Sequence, residues 1–194
     1  MRNPEQTETI IYGGAFNPPT LAHQAILQAA VDYARPHNAE VWVMPSGNRI
    51  DKAIPTTRER RLAYVAGMIE DTDTAGVPTT VHTAELDRSI PVETYDTVME
   101  LEDAYPEREF RWVFGADSTE TMGNWKEGDY LLRNLAMLVV EREGSTINPL
   151  ALRAVALTIP HLDLSSTELR RRMEQGEPFE DMVGGAVYSL LMAV

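Results

Sequence analysis

Apolar stretches rich in β-branched residues alternate along this chain with stretches of helical period. Thr9–Tyr12 predicts a strand that ends at Gly13-Gly14. From Leu21 to Ala34, Leu21, Ala25, Ile26, Ala29 and Ala30 recur at the spacing of one helix face. Glu40–Met44 predicts a second strand, stopped by Pro45-Ser46-Gly47, and a loop runs on through Thr56. Arg58–Asp71 reads as helix, with Leu62, Val65, Ala66 and Ile69 on one side. Thr79–Leu86 alternates as a third strand would, and Glu93–Tyr105 predicts a helix that stops before Pro106. Phe110–Phe114 is a strand of the buried type, running into Gly115-Ala116-Asp117. A short helix over part of Asp129–Asn134, strands over Leu135–Val140 and Arg153–Ile159, a helix over Ser166–Glu174 and a closing helix over Val187–Leu191 complete the pattern.

Repeated strand–helix alternation implies an α/β fold: a Rossmann-like, doubly wound parallel sheet with helices on both faces. The absence of repeats and of low-complexity linkers makes residues 1–194 one expected domain. In such sheets ligands gather beyond the carboxyl ends of the strands, where the strand order reverses. The turns at Gly13-Gly14 and at Gly115 both follow strands, so both belong at that edge.

Composition narrows the functional classes. Acidic residues outnumber Lys and Arg by 30 to 17, a net charge of −13, which excludes a broad basic face for nucleic acid. A small anion needs only a few local donors, because screening limits distant charges to roughly 10 Å. No cysteine is present, so thiolate metal sites and disulfides are excluded. No apolar run is long enough to span a membrane, and Met1–Gln6 is too polar for a signal peptide. A cytoplasmic protein without membrane contact is the expectation, and a homo-oligomer stays open. His23, His37, His82 and His161 are scattered, with no pair at metal-ligand spacing.

Two segments far apart in sequence ask for a phosphate. The first is Gly13-Gly14-Ala15-Phe16-Asn17-Pro18-Pro19-Thr20-Leu21-Ala22-His23, the second Leu164-Ser165-Ser166-Thr167-Glu168-Leu169-Arg170. Each feeds a predicted helix start, where unpaired N–H groups and a partial positive charge suit an anion. Glycines let the backbone pass close to a ligand. Thr20 is placed to cap the first helix, and His23, three residues on, faces the same side. Ser165 and Glu168 stand at capping-box spacing, and Arg170, Arg171 and Arg172 crowd a helix start whose dipole they oppose. A bound polyphosphate would reverse that sign. A capped strand–turn–helix join with a half-buried histidine, and a solvated basic helix, account for the same residues without a ligand. Neither a G-x-G-x-x-G fingerprint nor a Walker loop is present.

Together these segments resemble the nucleotidylyltransferase superfamily, and within it bacterial nicotinate-nucleotide adenylyltransferase. That family opens on Gly-Gly-Ser/Thr-Phe-Asp-Pro-Pro-His-x-Gly-His and closes on Ile-Ser-Ser-Thr-x-Ile-Arg; this chain has GGAFNPPTLAH and LSSTELR. Phe114-Gly115-Ala116-Asp117-Ser118 followed by Trp125 is similar to the family's Gly-Ala-Asp-Ser…Trp stretch, and Lys52 with Arg58–Leu62 resembles its lysine loop and following helix. The likeness runs over nearly the whole chain in the family's order. Thr20, Asn17 and Ala22 depart from it, standing where the family has histidine, aspartate and glycine.

The resemblance implies transfer of AMP from ATP to nicotinate mononucleotide, giving deamido-NAD and pyrophosphate. It implies that His23 and Arg170 bind the triphosphate and stabilise its transition state, with Thr20 adding a hydroxyl. Gly13, Gly14, Ala15, Phe16, Gly115, Ser165, Ser166 and Thr167 would line the ATP site, and Asp117 would accept from the ribose. Mg²⁺ would ride on the ATP phosphates, with few or no protein ligands. On the acceptor side Trp125 would stack on the pyridine ring, Lys52 would pair with the mononucleotide phosphate, and Thr94 and Tyr95 would line the nicotinate pocket. Nicotinamide mononucleotide or phosphopantetheine as acceptor, or a catalytically decayed nucleotide sensor, are the alternatives; Arg170 disfavours the phosphopantetheine enzymes, which lack it.

Overall fold

The computed structural model describes residues 7–47, 54, 56–91, 93–141 and 144–193. Strands β1 (Thr7–Gly14), β2 (Glu40–Pro45), β3 (Thr79–Val81), β4 (Arg108–Gly115), β5 (Ala136–Val140) and β6 (Ala154–Leu157) form one sheet, in the order β3-β2-β1-β4-β5-β6. All neighbours run parallel. The order reverses between β1 and β4, so the carboxyl ends of these two strands flank the crevice where a doubly wound sheet receives its ligand.

Period-two alternation sends neighbouring strand residues to opposite cores. Ile10, Tyr12, Val41, Val43, Val113, Leu138 and Val140 face one layer, built from helices α1 (Leu21–His37), α2 (Arg58–Glu70), α6 (Ser166–Gln175) and α7 (Gly185–Met192). Ile11, Trp42, Met44, Trp112, Met137 and Val139 face the other, covered by α3 (Thr94–Ala104) and α5 (Gly128–Asn134). A fully buried side chain such as Leu27 or Leu138 contributes about 2 kcal/mol. Both faces are thus covered, which is why the strands read as near-continuous apolar runs. No helix among the described residues is long and apolar enough to cross a membrane.

Two elements differ from the sequence pattern. The alternation over Thr79–Leu86 gives a strand only as far as Val81. There the chain turns: the Thr83 hydroxyl donates to Asp87 Oδ2 at 2.6 Å, and Asp87 N–H to the Thr83 carbonyl at 3.0 Å. His82, just past the strand, lies flat on Trp42, with ring centroids 4.2 Å apart. The second difference is a short helix, α4 (Ala116–Thr121), directly after β4. Its sequence, ADSTET, has no apolar period and predicts nothing. Side-chain bonds hold it instead: within the helix, buried Thr119 donates to the Ala116 carbonyl at 2.8 Å, and from outside it Asn148 bonds Thr119 through both its backbone N–H and its side-chain amide, each at 3.1 Å.

Asp71, at the end of α2, joins that helix to α7. Its carboxylate accepts from the backbone N–H of Ala186 at 3.0 Å and of Val187 at 3.4 Å, in the first turn of α7. An anion at this point satisfies orphan donors and complements the positive end of the helix dipole. Asp71→Ala is expected to destabilise the fold by about 1–2 kcal/mol. A urea midpoint equal to that of the parent would remove Asp71 from this role.

Candidate active site

A cavity of about 200 Å³ opens at the carboxyl edge, between β1 and β4. Gly13 and Gly14 from β1, His23 from α1, and Gly115 and Asp117 from the β4–α4 turn line it. Tyr12, Ala22, Ile26, Val113, Phe114, Ser118 and Leu164 complete the wall. Leu164 brings the chain that enters α6 to the same cavity. The two glycine-bearing turns and the distant C-terminal segment therefore share one cleft.

The histidine is held in one tautomer. Thr20 caps α1, and its backbone N–H donates to His23 Nδ1 at 3.1 Å. A backbone amide can only donate, so Nδ1 is the acceptor and the ring proton sits on Nε2. The Thr20 hydroxyl lies 2.9 Å from the same nitrogen. Thr20 is 2 % exposed. Its hydroxyl is directed at the imidazole, so Thr20 positions His23 and does not itself reach toward a phosphate. The threonine in place of the family's first histidine thereby serves the second.

Phe16 is a correction. Expected to line the ATP site, it is fully buried and lies beneath the turn, its ring edge-on to Tyr12 at 5.2 Å and to His23 at 5.7 Å. Its φ of 45° turns the side chain inward. A Cβ on Gly14 would come within 2.9 Å of that ring, so Gly14 is glycine for packing. Gly13 has no such demand: its Cβ would meet nothing closer than the Met44 carbonyl at 4.0 Å. At Gly115 a Cβ would fall 2.3 Å from Asp117 Oδ1, so the absent side chain leaves the aspartate room to fold back at the cavity wall.

The second segment docks on the first. The Ser166 hydroxyl donates to the Pro18 carbonyl at 2.8 Å, and Arg170 Nη1 donates to the Asn17 carbonyl at 2.6 Å. Arg170 Nη2 also reaches Thr167 Oγ1 at 3.2 Å. Ser165 caps α6, accepting from Glu168 N–H at 3.1 Å. Ala15, Ser165, Ser166, Thr167 and Arg170, expected at the ATP site or its chemistry, do not line this cavity. The crowding of arginines has a mostly local explanation. Arg171 pairs with Glu168 and Glu177, and Arg172 with Glu168 and Asp181. Hydrogen bonds from Arg171, then from Arg172, pull the Glu168 carboxyl down to about 2. Glu168 thus spends its side chain on arginines and completes only half of a capping box. Arg170 alone of the three turns to the first segment.

The departures from the family pattern have local reasons. Asn17 is 7 % exposed, and its Oδ1 is buried without a hydrogen-bond partner. An aspartate there would bury a charge at greater cost than the amide. Ala22 lines the cavity and narrows it by a methyl group.

On the acceptor side, Trp125 lies edge-on to Phe114 at 6.1 Å. Phe114 also lines the cavity, so this ring pair extends from the cavity wall. Thr94 opens α3, and Tyr95 packs against Tyr130 with the Lys126 ammonium 5.8 Å from its ring. Lys126 is tied to Asp96 at 2.5 Å. Lys52 lies outside the described residues.

Arg61 escapes the sequence reading. It is 4 % exposed, and its guanidinium donates from Nε to the Ala15 carbonyl at 3.0 Å and from Nη2 to the Ser46 carbonyl at 2.5 Å. The signal was present: Arg61 precedes Val65 by four residues and Met68 by seven, on the buried face of α2. Burial pushes its pKa below the ordinary arginine value, and the charge of Glu85 opposes that.

The cytidylyltransferase-like family model matches residues 11–172. A relative from Exiguobacterium sibiricum, named probable nicotinate-nucleotide adenylyltransferase, is 30 % identical over 93 % of this chain and 94 % of its own. Another of that name, from Oceanobacillus iheyensis, is 31 % identical over 86 % of this chain and 84 % of its own. The solved structure of Plasmodium falciparum nicotinic acid mononucleotide adenylyltransferase complexed with NaAD superposes with a TM-score of 0.78. It is 22 % identical, and the match covers 97 % of this chain and 96 % of that one.

Proposed function

Since the chain belongs to the cytidylyltransferase-like family, in its nicotinate-nucleotide adenylyltransferase branch, we propose that it transfers AMP from ATP to nicotinate mononucleotide. The products are deamido-NAD and pyrophosphate, in a step of NAD biosynthesis. The observation that carries this reading is the docking of Ser166 and Arg170 onto the carbonyls of Pro18 and Asn17 beside the His23 cavity.

The chemistry needs no protein nucleophile. A phosphate oxygen of the mononucleotide attacks the α-phosphorus of ATP in line, the bond from that phosphorus to the bridging oxygen breaks, and pyrophosphate leaves with the electron pair. The protein's task is to hold both substrates in line and to stabilise charge as it spreads over the phosphate oxygens. In this proposal His23 donates its Nε2 proton in a hydrogen bond to a triphosphate oxygen, and Thr20 keeps that nitrogen protonated. Arg170 braces the turn from behind and adds positive charge to it. Gly13 and Gly14 give the phosphates close approach, and Asp117 accepts from the ATP ribose. Trp125 and Tyr95 border the pyridine site. Mg²⁺ enters with ATP as part of the substrate, riding on its phosphates. We read residues 1–194 as one domain and place the reaction in the cytoplasm.

Pyrophosphate release with Mg-ATP and nicotinate mononucleotide, nicotinamide mononucleotide or phosphopantetheine in turn tests the proposal. Release with nicotinate mononucleotide, well above the other two acceptors, is the expected result. ATP binding without release from any acceptor would mark a nucleotide sensor instead.

A further inference from the structure

We propose that Arg61 is a positioning residue for the adenylyl transfer, clamping the turn that receives the triphosphate and giving that turn a buried positive charge. This rests on the functional reading above. Three bonds cross-link the carboxyl ends of β1 and β2 just ahead of Thr20 and His23. Ser46 N–H donates to the Gly14 carbonyl at 2.8 Å, and Arg61 spans the carbonyls of Ala15 and Ser46. The turn they fix leaves β1 at Gly14 and carries the chain through Ala15 toward Thr20 and His23. A planar guanidinium can reach two carbonyls at once; an ammonium presents a single point of charge.

The charge is as informative as the clamp. Both of Arg61's partners are neutral carbonyls, and no carboxylate among the described residues forms an ion pair with it; Glu85 favours its charge only from a distance. A buried cation without a bonded anion is costly in a folded protein. Here it lies behind the turn where a polyanion would dock, in a chain of net charge −13. A bound triphosphate adds to the counter-charge that Glu85 supplies from a distance. Arg61 thereby acts on ATP without touching the reacting atoms.

The test is steady-state kinetics of R61M and R61K, with ATP and nicotinate mononucleotide each varied, and thermal unfolding with and without Mg-ATP. R61M is expected to raise the KM for ATP by about tenfold or more, to leave the KM for the mononucleotide within about twofold, and to lose the upward Tm shift that ATP gives the parent. R61K, which keeps charge without the two-carbonyl clamp, recovers part of the ATP affinity. A purely structural role would lower Tm and the active fraction while leaving both KM values alone, and that result overturns the proposal. Equal rises in both KM values overturn it too. If R61M does not fold, R61K decides: a raised KM for ATP alone supports the clamp, and an unchanged one ends it. Failure of the parent to release pyrophosphate with any pyridine mononucleotide removes the functional reading instead, and the ATP-dependent Tm shift of parent and variants then judges Arg61 separately.

Discussion

His23→Ala is expected to lower kcat by about 10²-fold or more, as does the loss of one preorganised donor from an oxyanion-type site. The reasoning starts from Thr20. Its backbone N–H commits His23 Nδ1 to accepting, so the opposite nitrogen carries the proton and the ring can donate without first picking one up. A donor fixed in this way needs no reorganisation as charge grows on the phosphate. Alanine leaves a hole beside Phe16 and orphans the Thr20 N–H; the fold persists, less stable by about 1 kcal/mol of lost capping, as circular dichroism and a lowered urea midpoint would show. Thr20→Val, which keeps the backbone N–H and removes the hydroxyl, should cost less than His23→Ala. Undiminished turnover in folded His23→Ala would take the imidazole out of the mechanism.

Arg170→Ala is the second large expectation. Arg170 makes a charge-assisted hydrogen bond to the Asn17 carbonyl at 2.6 Å, holding together segments 153 residues apart. Losing such a bond costs about 1.5–3 kcal/mol, or roughly 10- to 100-fold. The loss should fall on kcat/KM for ATP, because the Asn17 turn leads into Thr20 and His23. The KM for the pyridine mononucleotide should change little, since the bonds of Arg170 run to Asn17 and Thr167, whereas Trp125 packs on Phe114 and Tyr95 on Tyr130. If acceptor affinity falls and ATP affinity does not, Arg170 serves the other substrate.

The sheet and the cleft edge were legible in sequence because buried parallel strands leave apolar β-branched runs, and glycine turns mark where they end. Asp117 and His23 were legible through the motifs that follow those turns, which resemble the family's. What stayed hidden depended on contacts distant in sequence. The residues VHTAELD alternate like a strand, yet the Thr83–Asp87 bonds fold them into a turn. Helix α4 has no apolar period because Asn148 and Thr119 hold it rather than its own sequence. Phe16 reads as a ligand contact until a positive φ turns it under Gly14. Arg61 hides among Arg58 and Arg60 as one more charge on an exposed helix, although only it lies fully on the inner face. Arg171 and Arg172 sent the opposite false signal, because their acidic partners lie within ten residues and the pairing shows only when α6 is formed.

The Ser166–Pro18 and Arg170–Asn17 bonds carry a consequence for biosynthesis. Every sheet strand has left the ribosome once Leu157 has emerged, and the nascent chain can then build the core beneath α3 and α5, while the other core still waits for α6 and α7. It still lacks the clasp on its first turn, which comes only with residues 166–170. Folding thus runs ahead of competence during translation: a ribosome stalled between these points would display a Rossmann-like sheet that cannot yet grip its nucleotide.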